Sequence, residues 1–129
     1  MLKPIISQFK PAQRGVVLLE ALVAILIFSI GILGIVGMQA NMLRNTSDSK
    51  YRADASDVAQ QRIGQMWADP SNLANYAGTA SVPLPSGIMT TALTGVTATG
   101  AVVTVTVTWQ QPGDAASHVY STVANINGG

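Results

Sequence analysis

Apolar residues are concentrated near the start of the chain. Residues 16–38 read VVLLEALVAILIFSIGILGIVGM, an almost unbroken apolar run whose one strongly polar member is Glu20. At about 1.5 Å per residue, a helix over this stretch spans roughly 34 Å, enough to cross a hydrocarbon layer of about 30 Å. A cleavable secretory signal has a shorter core, about 7 to 15 apolar residues, followed by a small-residue site. Met38-Gln39-Ala40 makes a poor site, so the run reads as a membrane-spanning helix. Ser29, inside it, can bond back to its own helix backbone.

After Gln39 the polarity changes and the helical period continues. Tyr51, Ala55, Val58, Ala59, Ile63 and Met66 recur at spacings that line one face. Asp48 stands four positions from both Arg44 and Arg52, pairings worth a few tenths of a kcal/mol each. Asp69-Pro70 supplies a stop, because the residue before proline is pushed out of the helical region. One helix over residues 16–68, on the order of 80 Å long, is the economical reading. Its second half presents an apolar stripe that needs a cover, and Tyr51 and Trp67 are read as core aromatics.

The cover should come from residues 69–129. Pro70, Pro83, Pro85 and Gly87 interrupt the first part, which reads as loop with a short strand around residues 88–93. Residues 101–109 alternate strictly, with Val103, Val105, Val107 and Trp109 on one face and Thr104, Thr106 and Thr108 on the other. Gln111-Pro112-Gly113-Asp114 is turn chemistry, and residues 118–126 return as a second strand of a hairpin. A hairpin alone is marginal, so at least one further strand within residues 80–98 is expected. The valine and tryptophan face is expected to cover the helix stripe. The fold class that follows is α+β: a long N-terminal α-helix packed against a small antiparallel β-sheet.

Charge adds an asymmetry. Lys3, Lys10 and Arg14 precede the apolar run with no acid among them, whereas Arg44, Lys50, Arg52 and Arg62 are outnumbered by six acids from Val16 onward. The formal net charge of +1 gives no electrostatic footprint for nucleic acid. With no cysteine there is no disulfide framework, thiolate metal site or thiol nucleophile. Basic residues flank the apolar run on both sides, so charge alone does not orient it.

A carboxylate inside a membrane span costs about 2.5 to 3.5 kcal/mol, which makes Glu20 the informative residue. Either it reaches the head groups one turn inside the membrane edge, or something neutralises it. The residues before it, Lys10-Pro11-Ala12-Gln13-Arg14-Gly15, are basic and polar and end in glycine at the apolar boundary. Here the chain resembles type IV prepilins and pseudopilins. These carry a basic leader ending in Gly, a cut directly before the hydrophobic helix, and Glu as fifth residue of the mature chain. Gly15, Val16 and Glu20 match those positions, although Val16 stands where the family usually has Phe. The stretch LLEALVAILIFSIGILGIVGMQ, and a helix ending near Gln65-Met66-Trp67, are most similar to PilV-type minor pilins. The resemblance covers roughly residues 10–68.

The resemblance implies a leader over residues 1–15 removed by a prepilin peptidase and an assembly helix over residues 16–38. The amphipathic continuation is residues 39–68, and the loop and sheet are residues 69–129, in a pilin-like fold. The new N-terminus, Val16, would be methylated. Its ammonium would be neutralised by Glu20 of an adjoining subunit, a paired charge being tolerable in an apolar core where a lone one is not. The implied partners are other pilin subunits, the pilus assembly machinery and inner-membrane lipid. The implied location is the bacterial inner membrane, single-pass, and then the periplasm or a cell-surface type IV pilus. A minor pseudopilin of a type II secretion system shares this N-terminal logic. A single-pass anchored binding module that never polymerises is the rival from another class.

Nothing in the sequence argues for an enzyme. His118 is the sole histidine and Glu20 the sole glutamate, Ser117 beside His118 is mere adjacency, and no catalytic pair is assembled. Phosphate-binding, dinucleotide and metal-ligand spacings are all missing from the sequence, so no cofactor or metal is expected. Gly31, Gly34 and Gly37 recur every third residue, a pattern that suits close helix packing and local melting about evenly, with lipid-facing filler as a third reading.

Overall fold

The structure, a computed structural model, describes Leu2 and residues 11–128. Lys3 and Lys10 of the expected leader therefore lie outside the described residues. The chain divides into two compact units, Met1–Asn45 and Thr46–Gly129. A single helix, α1, runs Pro11–Ala68 and contributes to both. It begins five residues before the expected boundary at Val16, so Gly15 and Val16 lie within helix.

In the first unit the apolar side chains have no protein cover. Val16, Leu19, Phe28, Leu33 and Leu43 are all more than 60% exposed. Ser29 donates its hydroxyl to the Ile25 carbonyl at 2.7 Å, the local bond that lets a hydroxyl sit in an apolar helix. The helix is long and apolar enough to cross a membrane by length and composition, with a mean hydropathy of 2.8 over its most apolar 18-residue stretch. A membrane anchor and a signal sequence both meet that description.

The second unit is a four-stranded antiparallel meander laid on the helix. A 3₁₀ segment, Pro70–Tyr76, follows α1 and contributes the buried Leu73. The strands are β1 Gly78–Ser81, β2 Ile88–Thr94, β3 Gly100–Trp109 and β4 His118–Asn127, in spatial order β1-β2-β3-β4. This is α+β, with the long helix packed on the sheet. β3 and β4 match the strands read from alternation, and the extra strand expected within residues 80–98 is present as β2. β1 was not expected: Gly-Thr-Ala-Ser has no apolar alternation, and it is held by pairing with β2 from Gly78↔Thr91 to Ser81↔Ile88.

Period two and period 3.6 meet in the core. Val103, Val105 and Val107 are fully buried and Trp109 is 2% exposed. They share a buried cluster with Ala55, Ala59 and Met66 of the helix. The two alanines are 0% exposed, and their small side chains leave room for the helix backbone to approach the sheet. Ser56 on the helix donates to the Tyr120 hydroxyl at 3.2 Å, a polar tie to β4 beside the apolar contact. The opposite sheet face carries hydroxyls: Thr79, Thr90, Thr106 and Ser121 stand in register across all four strands. Thr106 and Ser121 share a hydrogen bond of 3.2 Å.

Two expectations about the helix fail. Trp67 is 50% exposed and not a core aromatic. It follows the buried Met66, and one residue turns a side chain about 100° around the helix, out of the packed stripe. Tyr51 does pack against the core. Asp48 forms no ion pair with Arg44 or Arg52; the one ion pair among the described residues is Asp114–His118. Asp48 instead accepts a hydrogen bond from the Gln111 side-chain amide in the β3–β4 turn. That turn contains Pro112 and then Gly113 at φ +93°, the positive φ that a type II turn requires at its third position. Asp114 N–H donates to the Gln111 carbonyl at 3.1 Å and closes it.

Candidate functional site

The positions singled out in the sequence, Gly15, Val16 and Glu20, fall on consecutive turns of α1 in the first unit. Val16 and Glu20 are four residues apart, so they lie on one face of the helix with an axial rise of about 6 Å. Side chains tilt toward the helix N-terminus, which aims the Glu20 carboxylate back along the Val16 side of the helix.

Around that carboxylate the described residues supply nothing to neutralise it. Glu20 is exposed, and no ion pair or hydrogen bond holds it among the described residues. Its neighbours are Val17, Leu18, Leu19 and Leu22, each more than 60% exposed. In water such a surface is unfavourable, at about 25 cal/mol per Å² of apolar area left uncovered. In lipid or a bundle of similar helices the apolar side chains are accommodated and the carboxylate becomes the costly group. Among the described residues, then, there is neither a cover for the apolar helix surface nor a cation beside Glu20.

Gly15 has open space where a Cβ would stand, with nothing within 4 Å. No packing demand explains a glycine there. Its physical effect is to weaken the helix by about 1 kcal/mol relative to alanine, directly beside the bond expected to be cut. Gly31, Gly34 and Gly37 are equally open, so among the described residues they make no close helix contact.

In the second unit, His118 Nε2 is 2.8 Å from Asp114 Oδ2. Its ring stacks on Trp109 with centroids 5.6 Å apart and an interplanar angle of 18°. Ser117 is exposed and makes no hydrogen bond to His118. A groove of about 230 Å³ runs between the helix and β1, bordered by Val58, Arg62, Gln65, Ser81, Val82 and Met89. Arg62 lies over the Tyr76 ring at 5.9 Å. No carboxylate, imidazole or thiol lines the groove, so it offers no acid–base pair. Compared with known proteins, the chain matches no family model, no curated protein and no solved structure.

Proposed function

We propose that this chain is the precursor of a type IV pilin-like subunit, anchored by its apolar helix in a bacterial inner membrane until it is drawn into a filament. Within that class it is a minor pilin of PilV type, which takes part in assembly or modification of a type IV pilus. The observation that carries the reading is Glu20: a carboxylate without a partner among the described residues, on a helix whose apolar surface the chain leaves bare. It stands one turn beyond the Gly15–Val16 boundary.

The chemistry follows from those positions. Hydrolysis of the Gly15–Val16 bond by a prepilin peptidase removes the basic leader and leaves an ammonium on Val16, which is then methylated. In a bundle of such helices the ammonium of one subunit and Glu20 of another form a pair. Leaving either partner alone costs about 3 to 5 kcal/mol, which penalises subunits seated out of register. The filament thus gains an alignment signal inside an otherwise non-directional apolar contact.

Intact-mass measurement of the mature protein tests the cut: loss of residues 1–15 is expected, and a product that retains Met1 refutes the proposal. Glu20→Ala tests the pairing, and separates an assembling subunit from an anchored module that never polymerises. Incorporation into filaments should be lost while membrane insertion stays intact; unchanged incorporation counts decisively against the reading.

A further inference from the structure

Three donor side chains far apart in the sequence converge in the unit Thr46–Gly129. Asp48 comes from α1, Asp114 from the β3–β4 turn and His118 from the start of β4, and their ligand atoms all lie within 4.8 Å of one another. The chain has one histidine and six acidic residues in all, so this is a specific meeting and not one patch of a crowded acidic surface. Neither carboxylate is paired with a Lys or Arg among the described residues.

We propose that Asp48, Asp114 and His118 form a binding site for one divalent transition-metal ion of the zinc type. The spacing fits one ion. Tetrahedral ligands bound at about 2.1 Å stand about 3.4 Å apart. Asp114 Oδ2 and His118 Nε2 now share a 2.8 Å hydrogen bond, and all three ligand atoms lie within 4.8 Å, so an ion needs only side-chain rotation of the exposed carboxylates to be held. The charge fits as well, because two carboxylates and a neutral imidazole balance a dication. The donor set selects the ion: one imidazole nitrogen and two carboxylate oxygens suit zinc and its neighbours, whereas calcium takes oxygen ligands alone and copper(I) prefers sulfur. Three protein ligands leave a position for water.

The surroundings support each ligand. Trp109, 2% exposed, stacks on the imidazole and fixes its plane. The Gln111 amide holds Asp48. Partners that orient ligands in this way are worth about 10- to 100-fold in metal affinity. A bound ion would clip the β3–β4 turn to the helix at Asp48, reinforcing a connection that now rests on one amide.

The test uses tag-free, full-length protein in detergent micelles, stripped with EDTA and titrated separately with Zn²⁺ and Ca²⁺. His118 is the only histidine, so nitrogen NMR of labelled protein shows a single imidazole. Zn²⁺ is expected to shift its Nε2 signal in one saturable, one-to-one step and to raise the melting temperature, with Ca²⁺ doing neither. His118→Ala, and separately the exposed Asp48→Asn, should each weaken binding by at least about tenfold. Circular dichroism confirms that each variant is folded. Zn²⁺ affinity that survives Asp48→Asn, an imidazole signal that Zn²⁺ leaves unmoved, or Ca²⁺ displacing Zn²⁺ would each overturn the assignment.

Discussion

Met66→Ala and Leu33→Ala, made in the same helix, should behave as substitutions in two different proteins. Met66 is 0% exposed and belongs to the cluster formed with Val103, Val105 and Trp109. Truncating it deletes three buried heavy atoms and leaves a cavity that neighbours fill only in part, a loss of about 2 to 5 kcal/mol. A domain of ordinary stability has only about 5 to 15 kcal/mol to lose, so the melting temperature of the sheet should fall by roughly 10 °C or more. Leu33 is 70% exposed, and in detergent its truncation should move the same transition by no more than about 0.5 kcal/mol. The assay is urea or thermal unfolding of the full chain in micelles, read by near-ultraviolet circular dichroism of the buried Trp109. A Met66→Ala penalty below about 1 kcal/mol would refute the packing argument, because truncating a buried methionine typically costs about 2 to 5 kcal/mol. Equal effects of the two substitutions would refute the separation of roles along the helix.

Two further substitutions probe the second unit. A Cβ added at Gly87 would stand 2.7 Å from Leu84 Cβ and 2.9 Å from the Leu84 carbonyl oxygen. Gly87→Ala should therefore destabilise the β1–β2 connection by about 1 to 3 kcal/mol, measured as a lowered urea midpoint; an unchanged midpoint would mean the loop opens freely. Trp67→Ser should leave the midpoint within about 0.5 kcal/mol, since half of that side chain is already in solvent, and a drop as large as that of Met66→Ala would place Trp67 in the core after all.

What could be read in advance depended on how local each cause was. β3 was legible because its alternation of valine and threonine is carried by consecutive residues, and the buried-and-partly-buried pattern follows it position by position. The helix stripe was legible for the same reason at period 3.6. β1 was not, because its reason for being a strand is the neighbouring backbone of β2, which no side-chain pattern in Gly-Thr-Ala-Ser reveals. Trp67 was misread because an aromatic at the edge of a stripe looks like a member of it until the packing partner sets the width of the contact. Asp48 was assigned to arginines on its own helix, whereas its partner Gln111 is 63 residues away. Gly15, Val16 and Glu20 could be singled out because they are local, a few residues on one helix. The meeting of Asp48, Asp114 and His118 depends on how the β3–β4 turn docks on the helix, so linear spacing carries no trace of it.

The meander has a consequence for how the chain is made. Its strands leave the ribosome in the order in which they pair, so each hairpin can close as soon as its second strand appears, with no waiting for a distant partner. The helix stripe has no such luck: Ala55, Ala59 and Met66 emerge early but are buried against β3, which arrives some forty residues later, by a rough count at the pace of about 5 to 20 residues per second. For those seconds the nascent chain carries a sticky strip in open solvent. Any delay in delivering β3 lengthens the window in which that strip can be captured by a chaperone or by another unfinished copy.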